Sequence, residues 1–315
     1  MKTLAKVALA TAALIFAMPM LRHASAAPQN SGVQARSAQL DQTPLTSAQI
    51  TELISRVVEN QHHNDAELDS FERIERQVSH EGGAGGPIID EKVYRVVPTG
   101  SGTLKLLLRE NGQAVSGAFY RRQLRDWQKI LEVAVHPDDP RQIAVLAKQQ
   151  KRLKNRARLI DEAQRAFTIS WAGRELRDGM VLDKFRFEPN PDFPRQGNTA
   201  DWLAHARATV WVDAQDAQVA SIHATIIRDI SVGGGILGKI YRGGHFLMRQ
   251  APVAPGIWEP TFYEYDIAGR KFLFSFSMHQ VVSSANFQLL GSPQELLAEA
   301  RENLDHCCEL PAAGN

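Results

Sequence analysis

The stretch Met180-Val181-Leu182-Asp183-Lys184-Phe185-Arg186-Phe187-Glu188 decides how this chain reads. Alternation puts Val181, Asp183, Phe185 and Phe187 on one face and Leu182, Lys184 and Arg186 on the other, the period of two expected of a strand. Arg177-Asp178-Gly179 is a turn before it, joining it to a strand over Phe167–Ala172. Pro189-Asn190-Pro191-Asp192-Phe193-Pro194 follows, too rich in proline for a sheet interior, and reads as a projecting loop. Further out, Arg207–Asp213 and Gln218–Asp229 form a hairpin around Asp213-Ala214-Gln215-Asp216. Ser231–Gly235 breaks the ladder with three consecutive glycines. Ile236–Arg249, Ile257–Ile267 and Arg270–Ser283 supply three more strands, with Ala268-Gly269 as the tight turn between the last two. Pro260 requires an edge, a bulge or a late strand start. Several of these strands run about ten residues, against a usual five or six. Such a ladder builds one wide curved sheet, whose concave side can keep an apolar surface for a guest.

Ahead of the ladder, Leu45–Asn60 carries Ile50, Leu53, Ile54, Val57 and Val58 at helical spacing, with Thr46 or Ser47 as the cap. Ala66–Ser79 reads equally as helix or strand. Gly82-Gly83-Ala84-Gly85-Gly86-Pro87 is a turn. No Lys-Ser or Lys-Thr follows it to make a phosphate cradle. Lys92–Pro98 and Thr103–Arg109 read as strands, and Glu110-Asn111-Gly112-Gln113 as a turn from strand to helix. Ser116–Val135 is a helix with Leu124, Trp127, Ile130, Leu131 and Val135 on one side, stopped by His136-Pro137-Asp138-Asp139-Pro140. A second helix, Arg141 to about Ala166, is strongly basic: Arg141, Lys148, Lys151, Arg152, Lys154, Arg156, Arg158 and Arg165 stand against Asp161 and Glu162. Pro293–Leu304 closes the chain as a short helix capped by Ser292.

The N-terminus has the pattern of an export signal. Lys2 and Lys6 precede an apolar run over Val7–Leu21, and Ala24-Ser25-Ala26 fits the cleavage rule. The run is short for a membrane span and contains Pro19. Cleavage near Ala26 predicts a periplasmic or secreted chain with no stable transmembrane anchor. The whole chain carries a formal charge of +1; loss of Lys2, Lys6 and Arg22 takes it to −2, a balance that gives no general affinity for nucleic acid. Cys307 and Cys308 are adjacent and cannot staple distant segments.

No catalytic or metal motif stands out. His62, His63, Asp65 and His80 have poor spacing for chelation, and three adjacent residues, His306 to Cys308, do not converge on one ion. His205, His223, His245 and His279 stand apart on or beside strands. There is no Gly-x-Ser-x-Gly elbow, and the acids Asp183 and Glu188 read as a solvated pair. The expectation is a non-enzyme without metal or cofactor.

Four segments carry a family likeness: Phe185-Arg186-Phe187-Glu188-Pro189-Asn190-Pro191, Ala208-Thr209-Val210-Trp211-Val212-Asp213, Gly256-Ile257-Trp258-Glu259-Pro260 and Gly269-Arg270-Lys271-Phe272. In this order, over roughly residues 167–290, the chain resembles the periplasmic lipoprotein-sorting carriers, the LolA-like superfamily. The two-helix segment 116–166 is larger than a minimal carrier needs. The resemblance implies an α+β fold, a curved antiparallel sheet forming a half-open β-barrel with helices covering the concave side. The implied organisation is a signal peptide at 1–26, a flexible leader at 27–44, one domain at 45–308 with a helical insertion at 116–166, and a tail at 309–315. It also implies a hydrophobic guest such as a lipid or a lipoprotein acyl chain. Phe185, Phe187, Trp211, Phe272, Phe274 and Phe276 are the candidate ligand-binding residues. The alternative is a non-catalytic envelope interaction module, a sensor or assembly factor, that meets a protein partner through Lys151, Arg152, Lys154 and Arg158.

Overall fold

A computed structural model describes residues 40–194, 202–232 and 237–306. The export signal, the start of the leader, Gly233–Gly235 and Cys307-Cys308 lie outside the described residues. The chain enters through helix α1, Ser47–Glu67, which begins at a capping box. Thr46 Oγ1 accepts from the Gln49 N–H, and Gln49 Oε1 accepts from the Thr46 N–H at 2.9 Å. The helix runs past the expected end at Asn60, and a 3₁₀ turn at Leu68–Ser70 leads into the first strand. The ambiguous segment 66–79 is therefore mostly strand.

Among the described residues thirteen strands form one sheet. They are β1 Phe71–Glu81, β2 Ile88–Pro98, β3 Thr103–Glu110, β4 Gln113–Ala114, β5 Phe167–Arg177, β6 Met180–Pro189, β7 Ala206–Asp213, β8 Gln218–Ile226, β9 Ile230–Val232, β10 Gly238–Ile240, β11 His245–Ala254, β12 Ile257–Lys271 and β13 Phe274–Leu289. The order is β4-β3-β2-β1-β13-β12-β11-β8-β7-β6-β5, with β10 on β12 and β9 on β10. The neighbours pair antiparallel, and β4 and β5 stand at opposite ends, so the sheet is open. Helices α2, Gly117–Ala134, and α3, Pro140–Ala166, connect those two ends. Helix α4, Pro293–Asp305, ends the described chain behind a second capping box, Ser292 with Glu295.

Cross-strand partners define two faces. Trp171, Phe185, Val210, Ile222, Met248, Tyr263 and Val282 fall in register across β5, β6, β7, β8, β11, β12 and β13. This inner face receives Leu53 and Val57 of α1, completing the largest apolar core. Val93, Val97, Leu106 and Leu108 point to the other face. There they pack on Tyr120, Leu124, Trp127 and Leu131 of α2 and Leu296, Leu297 and Ala300 of α4. Ile130, expected on the packed side of α2, is exposed. Helix α3, with 27 residues, extends about 40 Å and lies over α1. Arg156 Nε reaches Asp65 at 2.8 Å, and His62 Nε2 meets Asp161 at 2.9 Å. Arg152 Nη2 donates to the Ser101 carbonyl at 3.0 Å, beside the β2–β3 turn.

Three turns differ from the sequence reading. Glu110–Gln113 returns the chain as a hairpin from β3 to β4 before α2 starts, with Asn111 and Gly112 both at positive φ. The expected strand from Ile236 to Arg249 is two strands separated at residues 241–244, where the Gly243 N–H donates to the Ile226 carbonyl. Ala268-Gly269 is no turn but the interior of β12. Gly269 is required because a Cβ there would lie 2.3 Å from the Lys239 carbonyl oxygen of β10. The β12–β13 turn lies instead at Phe272-Leu273, set by the pairing of Lys271 with Phe274.

Candidate functional site

The structure distributes the six candidate ligand residues over four places. Phe185, fully buried, and Phe187 lie on the inner face against α1. Trp211 points to the opposite face and packs with Leu182, Ala220 and Trp258. Its Nε1–H donates to Glu175 Oε1 at 2.6 Å, and the Arg177 guanidinium stacks 4.4 Å from its ring. Phe276 belongs to a small cluster with Ile226, Ile230 and Ile240. Phe272 and Phe274 are exposed at the β12–β13 turn. Of the four basic candidates on α3, Arg152 is tied to Ser101 and Arg158 pairs with Glu162 at 3.4 Å. Lys151 and Lys154 are exposed.

The inner face is thus filled by α1, and polar contacts fix the helix there. The buried Asn64 donates to Gln218 Oε1 at 2.8 Å and accepts from the Trp258 N–H at 3.1 Å. Asn60 donates to the carbonyls of Asp216 and Ala217. An open cleft appears elsewhere, where the sheet divides. Pairing of β12 with β13 stops at Phe262 and Ser283, whereas β13 continues along β1 to Leu289. Pro260, with no N–H to offer, sits on the unpaired arm beside a bulge in the β11–β12 ladder. Between the two arms lies a cavity of about 510 Å³, lined by Arg249, Pro252, Val253, Thr261, Phe262, Ser283, Ser284, Ala285 and Phe287. That volume falls within the range of small-molecule sites. The exposed Arg249 lays its guanidinium 4.2 Å from the Phe262 ring. Among the described residues no carboxylate pairs with it. The buried Ser283 hydroxyl has no hydrogen-bond partner among the described residues, and neither do the side-chain polar atoms of Gln250.

The inner side of the split buries charge. Arg73, Glu75 and Glu259 are almost wholly enclosed. Arg73 Nη2 stands 3.9 Å from Glu75 Oε2, and Lys105 closes on the other Glu75 oxygen. Burial pushes the Glu259 carboxyl up to about 9, with Arg73 opposing the shift. Burial likewise raises Glu75 and lowers Arg73. Desolvation exceeds the available pairing here, so the cluster costs stability. The sequence reading missed these residues. A second groove, about 570 Å³ between α2 and α4, is walled by Arg121, Arg125, Gln128, Lys129, Glu132, Leu304 and Asp305. Among the described residues no group of three or more His, Cys, Asp or Glu is placed to hold a metal, and no helix is long and apolar enough to cross a membrane.

No family model and no curated protein matches the chain. Solved structures overlap it at low similarity. A LolA superfamily protein from Nitrosomonas europaea is 10% identical over 78% of this chain and 96% of its own, with a TM-score of 0.29. A domain from Vibrio parahaemolyticus, named for outer membrane lipoprotein sorting, is 7% identical over 75% and 92%, with a TM-score of 0.28. A DUF1329 family protein from Desulfovibrio piger is 11% identical over 74% and 93%, with a TM-score of 0.23. The α+β class and the open antiparallel sheet stand on the strand order and register of this chain.

Proposed function

We propose that the protein is an exported envelope carrier, one domain over residues 45–308, that holds an apolar chain with an anionic head in the cleft between the two arms of the split sheet. The observation that carries this reading is the composition of the cleft wall. Phe262, Phe287, Val253, Pro252 and Ala285 give an apolar lining, and Arg249 stands beside it with no carboxylate partner among the described residues. Each buried methylene of a guest contributes about 0.8 kcal/mol, and the guanidinium fork suits a carboxylate or phosphate head. The site lies away from Phe185 and Phe187, because α1 already occupies that surface. A signal at residues 1–26 supports delivery to the periplasm or beyond.

The test is direct. Protein purified without detergent is extracted with organic solvent and the extract is analysed by mass spectrometry, and binding of a fluorescent fatty acid is titrated. Ala285→Trp fills the cleft and Arg249→Glu reverses its charge; each is expected to weaken binding at least tenfold while the far-ultraviolet circular dichroism stays that of the parent. No extracted lipid and no binding by the parent protein would overturn the proposal. Undiminished binding by Ala285→Trp would do the same.

A further inference from the structure

The β12–β13 hairpin extends past its neighbours. Pairing of β13 with β1 ends at Glu81 and Met278, and pairing of β11 with β12 ends at His245 and Asp266, whereas β12 and β13 stay paired to Lys271 and Phe274. Among the described residues β10 flanks the extension on the β12 side, and beside it the Leu237 carbonyl accepts from the Phe272 N–H at 3.2 Å and the Tyr241 N–H donates to the Ala268 carbonyl at 2.8 Å. At its tip Leu273 is 91% exposed and Phe274 78%, with Phe272 and the nearby Leu237 also open to solvent. Leu273 and Phe274, consecutive large apolar residues on a projecting tip, gain little from the fold. The backbone there is costly as well. Phe272 sits at φ 52°, a left-handed conformation that two-residue hairpins normally give to Gly, Asn or Asp.

The hairpin is held firmly from below. Phe276 and Ile267 pack on Ile226, Ile230 and Ile240, and Gly269 lets β10 approach closely. The surrounding charge is cationic. The segments that build this end carry Arg228, Lys239, Arg242, Arg270 and Lys271, against Glu81, Asp229 and Asp266. Two of those acids are engaged: Asp229 bonds Lys239 at 2.7 Å, and Asp266 accepts from the Ala84 N–H at 3.1 Å. A bulky apolar tip above a basic collar matches the interface of an anionic bilayer, where rings and Leu enter the acyl boundary and Lys and Arg meet headgroup phosphates.

We propose that Phe272, Leu273 and Phe274 form an anchor that docks the protein reversibly on an anionic lipid surface, with Lys271 and its basic neighbours reading the surface charge. The anchor is separate from the cleft and stands whether or not the cleft holds a guest. The test is cosedimentation with vesicles of equimolar phosphatidylglycerol and phosphatidylcholine, compared with phosphatidylcholine alone. The parent protein is expected to bind the anionic vesicles at least tenfold better, less so at high salt. Phe274→Trp is expected to shift its emission to the blue on those vesicles. Leu273→Glu with Phe274→Glu, at positions without core contacts, is expected to lower binding at least tenfold, and Lys271→Glu to narrow the preference for anionic lipid. Absence of sedimentation by the parent overturns the proposal, as does equal sedimentation by the double variant; a tip that binds protein instead gives the first of these results.

Discussion

The two halves of the inner face follow the same strand alternation and bury opposite kinds of residue. From β5 to β11 the inward positions are Trp171, Phe185, Val210, Ile222 and Met248, and α1 covers much of this surface with Leu53 and Val57. From β12 to β1 they include the enclosed Glu259, Arg73 and Glu75, and the exposed Lys105 of β3 closes on Glu75. The apolar half supplies the hydrophobic gain that holds the sheet on α1. The charged half gives some of that gain back, and it adjoins the place where the sheet divides. A fold selected for stability alone would fill the second half as it fills the first.

The sharpest way to break that division is to remove one large side chain from the apolar half. Phe185→Ala empties a fully enclosed site and is expected to cost about 3–5 kcal/mol, read as a lower midpoint in urea. An effect under about 1 kcal/mol would show that α1 is not the principal support of this face. In the charged half the opposite sign is expected. Glu259 is protonated in the fold up to about pH 9, whereas its ordinary value is 4.5. An acid with a raised folded pKa is fully compatible with the fold below its unfolded pKa and loses stability as pH rises toward the folded one. Glu259→Gln, which mimics the protonated form, is expected to match the parent near pH 4. Above that it gains about 1.4 kcal/mol per pH unit, so roughly 3 kcal/mol near neutrality. Denaturation at pH 5, 7 and 9 checks the slope; a flat difference would mean that Glu259 ionises freely.

These effects also mark what the sequence could and could not reveal. The period in Met180–Glu188 placed Asp183, Phe185 and Phe187 on one face, because a strand's side-chain direction is local; that Asp183, read as solvated, is enclosed against Arg174 and Trp171 was not legible. The cap at Ser292, and the choice between Thr46 and Ser47 for α1, were equally local and legible. Arg73 and Glu75 were not. In Phe71-Glu72-Arg73-Ile74-Glu75-Arg76 nothing nearby distinguishes a buried charge from a solvated one, since the enclosing residues Lys105, Glu259 and Tyr263 come from distant strands. Pro260 announced a break in pairing, yet the cleft it opens depends on β13 following β1 instead of β12. Phe272 and Phe274 were read as guest-binding because the turn was placed at Ala268-Gly269. Moving it to Phe272-Leu273 takes both rings out of the sheet and onto its tip.

The latch between α1 and the sheet tests the comparison on a smaller scale. Asn64→Ala removes an acceptor from the Trp258 N–H and a donor to Gln218, leaving buried polar groups unpaired. The expected loss is about 1–3 kcal/mol. Asn64→Asp keeps the acceptor and is expected to recover part of it if the bond to Trp258 carries most of the effect.

The smallest predicted effect separates the two capped helices. Ser292 and Thr46 form the same capping box, and loss of such a cap usually costs about 1 kcal/mol. The first turn of α4 is docked: Pro293 packs close to Gly100, and Leu296 is buried one turn in. Ser292→Ala therefore cannot be relieved by fraying without uncovering core, and its full cost is expected in the global midpoint. In α1 the residues Ser47 to Gln49 are exposed, Leu45 ahead of the helix and Ile50 are only partly buried against the core, and the first fully buried side chain is Leu53. Thr46→Ala can let that turn unwind at little cost to packing. Its global effect is expected to stay below that of Ser292→Ala, with amide exchange accelerated in residues 47–51 alone. Equal global losses from the two variants would show that the start of α1 is held as firmly as α4, and that the inner face is sealed along the whole helix instead of from Leu53 onward.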